Sequence, residues 1–326
     1  MFLKSLNSGM KLLKKIFTIL LLLLGSATAT YAQQQPQFTH NMFTKAYTNP
    51  GYFGISNAIC ATALIRQQWV GFKDADGNKI APQTVLIAVD SPIKFLHGGV
   101  GLNIAQDQYG FFKDVTIRLG YSYHKKMGEG ILGIGFNVDF LNKSLEFSKL
   151  KAVEEGDPFL SSQSANGVII TDIGLGAFLQ LPGFYAGFSA MQLLQSSKDL
   201  GGSGKGTFLL KRHIYATSGY DISFPSNPSY VITPSVFIKT DGVSAQYDFN
   251  GLVKYNNKIW GGVTYRLNDA FGVLLGTTIK EVNIGYSYDI PASKLGSAGS
   301  HEIMVRYCFK LEREKTRSSY RNTRFL

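Results

Sequence analysis

The chain has 326 residues, 44% hydrophobic and 13% aromatic but only 17% charged, with 35 Gly, 10 Pro and 2 Cys. That balance excludes a disordered chain and a disulfide-rich scaffold. The longest mostly apolar run, Ile16 to Leu24, is too short for a membrane-spanning helix of roughly 20 residues. Of the formal net charge of +11, Lys4, Lys11, Lys14 and Lys15 supply +4 and the stretch from Lys310 to Leu326 another +4. The body is left near neutral, which makes nucleic acid a poor partner.

In chain order, the first element is an address. The four lysines precede the apolar stretch Ile16 to Gly25, and small residues Ser26, Ala27 and Ala29 follow. This is the order of a secretory signal peptide, with cleavage after Ala29 or, better suited to the polar Gln33 to Gln35, after Ala32. Residues 1–32 are read as that signal and residues 33–56 as a periplasmic amino-terminal segment.

From about residue 57 the pattern has period two. Val115, Ile117, Leu119, Tyr121 and Tyr123 alternate with Asp114, Thr116, Arg118, Gly120 and Ser122. Val282, Ile284, Tyr286, Tyr288 and Ile290 alternate in the same way with Asn283, Gly285, Ser287 and Asp289. Successive strand residues point to opposite faces, so each such segment predicts a strand with one apolar and one polar or small face. About 14 segments are counted, starting near Asn57, Pro82, Leu96, Phe112, Gly130, Gly167, Gly183, Phe208, Ser229, Gly242, Asn257, Ala270, Glu281 and Ser300. Glycines inside strands (Gly133, Gly135, Gly174, Gly176, Gly261, Gly262) suit a curved wall with a lumen better than a soluble sandwich. Connections alternate between short, such as Leu181 to Gly183, and long, such as Leu141 to Asn166, as outer-membrane barrels do. The expected fold is all-β: a closed antiparallel outer-membrane β-barrel of about 14 strands over residues 57–309, with a basic periplasmic tail over 310–326.

Along this frame Gln35, Pro36, Gln37, Phe38, Thr39, Met42, Phe43, Asn49, Pro50 and Gly51 open a pattern. It continues with Arg66 to Trp69, Pro82 to Thr84, Trp260 to Gly262, Tyr265, Arg266, Asp269, Ala270, Gly285 to Asp289 and Ser300 to Ile303. Together these blocks resemble the PorP/SprF family of type IX secretion system outer-membrane proteins. The resemblance implies a Bacteroidota barrel working with that export machine in delivering or anchoring surface proteins, gliding adhesins among them. Its partners would be periplasmic and outer-membrane secretion components, a surface-protein cargo and outer-membrane lipid. The stretch Lys73 to Lys79 departs from the pattern and reads as a longer first outer loop. Periodicity by itself would equally allow a porin-like channel for small solutes, and a barrel lipid-modifying enzyme is a third reading.

Candidate residues are few. Arg118 and Arg306 on polar strand faces, with Glu302 and Asp289, are expected to form a lumen ion network, or a charged ring filtering solutes. Asp74, Asp76, Gly77 and Asn78 read as a surface turn, because the closing Glu of a calcium loop is missing. His40, His97, His124, His213 and His301 lack zinc-site spacing. No nucleophile elbow or phosphate loop is present, so no catalytic residue, cofactor or metal is expected. Trp69, Tyr121, Tyr123, Tyr265 and Phe309 read as interface girdles. Cys60 near the start of the first strand and Cys308 near the end of the last share lumen-facing registers. Closure of an even barrel makes those strands antiparallel neighbours, so the two become a candidate seam pair, disulfide-bonded or two buried thiols.

Overall fold

A computed structural model describes residues 35–74, 76–146, 167–199, 207–292 and 299–310. The signal peptide reading and most of the basic tail lie outside these residues. Fourteen strands form the wall: β1 (Ala58–Gln67), β2 (Gln83–Ile93), β3 (Gly98–Tyr109), β4 (Phe112–Met127), β5 (Gly130–Leu145), β6 (Val168–Leu181), β7 (Phe184–Met191), β8 (His213–Tyr220), β9 (Asn227–Thr240), β10 (Ala245–Tyr255), β11 (Ile259–Arg266), β12 (Ala270–Ile279), β13 (Val282–Pro291) and β14 (Ser300–Lys310). Each pairs antiparallel with its neighbours in sequence, and β14 pairs with β1 from Ala58↔Lys310 to Gln67↔His301, closing the barrel. Closure satisfies the edges of the wall strands, which a β-sheet requires in order to cross a bilayer, and no helix among the described residues is long and apolar enough to do so.

Alternation decides which face meets what. Ile117, Leu119, Ile284, Tyr286, Ile303 and Val305 point outward and are exposed, while Arg118, Ser287, Glu302 and Met304 point inward and are buried. An apolar outer belt around a polar interior is the inverse of a soluble protein and fits lipid outside. Tyr123, Tyr265 and Phe309 lie on the outer face, whereas Trp69 and Tyr121 are half-buried, the Tyr121 hydroxyl donating to the Leu96 carbonyl.

One rim carries tight turns, Gly128–Glu129 and Pro182–Gly183 among them, and the other carries the long connections and the turn at Asp74. That turn is closed by Asp74 accepting from Asp76 N and Asn78 N, with Gly77 at φ 85°. The Asn78 side chain, then the main-chain donors around it, hold the Asp74 carboxyl below its ordinary range.

The eighth strand departs from expectation. It begins at His213, and Phe208 belongs to a short hairpin, Ser197–Asp199 with Thr207–Leu209. Phe208 and Leu210 fold toward the lumen mouth and pack on Leu141 and Ile170. An inward-turned apolar pair mimics strand periodicity without belonging to the wall.

Candidate functional site

The described part of the 33–56 segment expected to lie in the periplasm runs instead through the lumen, as an arm of residues 35–57 that ends where β1 begins. Phe38 and Tyr47 pack with Leu64, Leu86, Leu274 and Met304 of the wall, so the core of this protein is its barrel interior. The Gln35 carbonyl accepts from Lys239 beside the long-connection rim, while Ser56 and Asn57 are exposed at the turn rim, immediately before β1. The arm therefore spans the lumen lengthwise. None of its described residues joins the sheet.

Its first half meets charge. Glu302, fully buried, accepts from the main-chain N–H groups of Thr39 and His40 at 3.0 and 2.8 Å, and lies 2.6 Å from His40 Nδ1. Arg66 bridges Glu302 (3.0 Å) and Asp289 (2.8 Å) and donates to the Thr39 hydroxyl, which in turn donates to Asp289. Arg266 joins Asp289 to Asp248, and Asn41 exchanges amide hydrogen bonds with Asn250. Buried charges of this kind hold only when each has its partners.

The second half meets glycine. After the single helical turn α1 (Lys45–Thr48), Asn49 accepts from Gly51 N and donates to the carbonyls of Ala177 and Phe188, pinning the arm to β6 and β7. The Phe53 ring sits where Gly101 and Gly120 carry no side chain, and Gly133 and Gly135 face the main chain of Pro50 and Gly51. A Cβ at Gly135 would fall 2.7 Å from Gly51 N. The in-strand glycines thus make room for a second chain.

The expected network divides into three. Asp289 and Glu302 share one cluster. Arg118 pairs with Asp139 across β4 and β5 and donates to the Tyr47 carbonyl, while Arg306 donates to the Phe43 carbonyl (3.5 Å) and the Tyr52 hydroxyl (3.4 Å). All four residues face the lumen, but the arm stands between them. Sequence reasoning missed Arg66, Arg266, His40 and Asp139 as partners; the arm's polar Thr39-His40-Asn41 run was the available signal. Cys60 and Cys308 are directly opposed, Cα atoms 4.1 Å apart, and form a disulfide at the turn rim.

A small pocket remains beside the arm's outer end. This pocket of about 20 Å³, between Gln35 and Pro36 of the arm, Asp107 and Asp114 of the wall and Phe208 and Leu210 of the hairpin, has room for about one water. Beside it Lys143 pairs with Asp114 and lies 3.9 Å from the Phe208 ring centre, so the hairpin covers the arm's outer end.

Several solved structures resemble this one at low sequence identity. They include the Acinetobacter baumannii outer membrane protein Omp33 (10% identity, 78% of this chain and 99% of that chain, TM-score 0.42). The Ralstonia pickettii toluene transporter TbuX is another (13%, 82% and 93%, TM-score 0.46). Nothing matches among curated proteins. The sequence profile of the type IX secretion system membrane protein PorP/SprF matches residues 30–307, which takes in both the arm and the wall. The chain belongs to the PorP/SprF family of type IX secretion system membrane proteins.

Proposed function

We propose that this protein is a non-enzymatic outer-membrane component of the type IX secretion system that supports delivery or anchoring of exported surface proteins, such as gliding adhesins, and acts through its rims. The observation that carries this reading is an arm spanning the lumen of a barrel whose family match covers 30–307. A solute path would have to run through space taken by Phe38, Tyr47 and Phe53, all buried, so a passive channel is the weaker reading. The long connections then face cargo. The tail after Lys310, leaving from the turn rim, docks the periplasmic components, and the apolar outer belt meets lipid.

Deleting the gene and comparing surface and secreted proteomes tests the reading. Loss of a defined set of surface proteins is expected; unchanged surface and secreted fractions would sink it. Truncation after Leu311 is expected to leave the barrel inserted while weakening co-purification with periplasmic secretion components.

A further inference from the structure

The contacts between arm and wall are of an unusual kind for a fixed piece of core. Wall side chains reach the arm's main chain: Glu302 accepts from Thr39 N and His40 N, Asn103 donates to the Ala46 carbonyl, Arg118 to that of Tyr47, Ser189 to that of Thr48, and Ser122 to that of Gly51. Asp90 accepts from Gly54 N. Recognition of this sort reads peptide groups, main-chain hydrogen bonds being a source of affinity in peptide-binding sites. The glycine trough under residues 49–54 has the matching shape, since missing Cβ atoms let a backbone lie flat on the wall.

Much of the wall's buried charge is paired within the wall, while Arg306, Lys239 and Asp90 hydrogen-bond to the arm. Arg66 with Asp289 and Glu302, Arg118 with Asp139, Lys143 with Asp114 and Arg266 with Asp248 are all wall-to-wall pairs. Among the described residues, the one ion pair crossing to the arm is His40 with Glu302. Along the arm's path Asn103 Oδ1, Asn137 Oδ1 and Ser287 Oγ are buried without a hydrogen-bond partner, polar capacity that the present occupant leaves unused. The arm is joined to the wall through the exposed Ser56–Asn57 junction.

We propose that the lumen wall is a peptide-binding site occupied in cis by residues 35–57, and that the same segment supplied as a free peptide exchanges into it. This goes beyond the secretion reading and does not depend on it. Departure of the arm leaves the wall-to-wall pairs in place and opens Arg306, Lys239, Asp90 and the other hydrogen-bonding groups that faced it to water. Its return buries Phe38, Tyr47 and Phe53, which supply the affinity.

The test uses the full chain with a protease site inserted between Ser56 and Asn57. After cleavage, a fluorescently labelled synthetic peptide of residues 35–57 is added and its co-migration with the barrel measured, with a scrambled peptide in parallel. The native peptide is expected to enter, to be chased by unlabelled peptide, and to bind at least about tenfold more tightly than the scrambled one or than a Phe53→Ala peptide. A second preparation, the chain lacking residues 35–57, is refolded with and without the peptide. Here the peptide is expected to convert a conducting barrel into a closed one in planar bilayers. Equal entry of scrambled peptide, or a cleaved barrel that takes up no peptide on prolonged warming, overturns the proposal. So does a barrel that folds only with the arm covalently attached.

Discussion

The two halves of the lumen wall hold one arm by different physics. The wall from β10 round through β14 to β1 meets residues 38–41 with carboxylates and guanidinium groups, and the wall from β3 to β7 meets residues 49–54 with bare backbone at glycine. Charge fixes position through partners that must all be present, because a buried ion left alone is costly. Glycine fixes it through shape, because any added atom collides. A long, irregular segment is thereby located at both ends without entering the sheet.

The comparison breaks most sharply where one residue anchors a half. Arg66→Ala takes the shared guanidinium from buried Glu302 and Asp289, leaving Glu302 without an arginine partner, and is expected to cost about 3–5 kcal/mol. Phe53→Ala, emptying the glycine trough, is expected to cost a similar ~3–5 kcal/mol, read for both variants as loss in urea unfolding of the protein in lipid vesicles. Next comes the seam between β1 and β14. Cys60→Ser with Cys308→Ser removes a link between residues 248 apart in sequence and is expected to cost about 2–4 kcal/mol. It should lower the temperature at which the folded band disappears on unheated gels, and reductant should reproduce it in the native chain.

Glycines separate the halves more finely. Gly135→Ala drives a methyl into the arm's backbone and is expected to cost about 1–3 kcal/mol. Gly251→Ala, whose nearest neighbour would be Val263 at 4.0 Å, should be neutral or stabilising by less than about 1 kcal/mol. If both cost the same, the trough is not shaped to the arm. Smallest is Lys254→Ala, which loses a 3.7 Å pair with half-exposed Asp221 and should change stability by under about 1 kcal/mol.

The wall was legible in the sequence because period two is a local property: β4, β5, β12 and β14 begin where alternation begins, at Phe112, Gly130, Ala270 and Ser300. Phe208 misled because an inward-folded hairpin is also apolar at alternate positions. The nearness of Cys60 and Cys308 follows from parity of the strand count. The arm was not legible, since residues 35–57 have no period and their partners lie up to 263 positions away. Its trace in the sequence was indirect: Gly133, Gly135 and Gly176 on the lumen side of two long strands asked for something pressed against them. Which carboxylate meets which guanidinium depended on that missing element, so Arg118 and Arg306 were assigned to the right face and the wrong company.

The central claim is that the arm lies inside the lumen, and cross-linking tests it most directly. Asn41 of the arm and Asn250 of β10 exchange side-chain hydrogen bonds at 3.3 and 3.5 Å. Thiols placed by Asn41→Cys with Asn250→Cys should be joined by a short bismaleimide in intact cells, giving a faster-migrating band after denaturation, while each single variant gives none. A position 41 thiol that is not joined to position 250, and that a bulky polyethylene glycol maleimide modifies from the periplasmic side, would contradict the account.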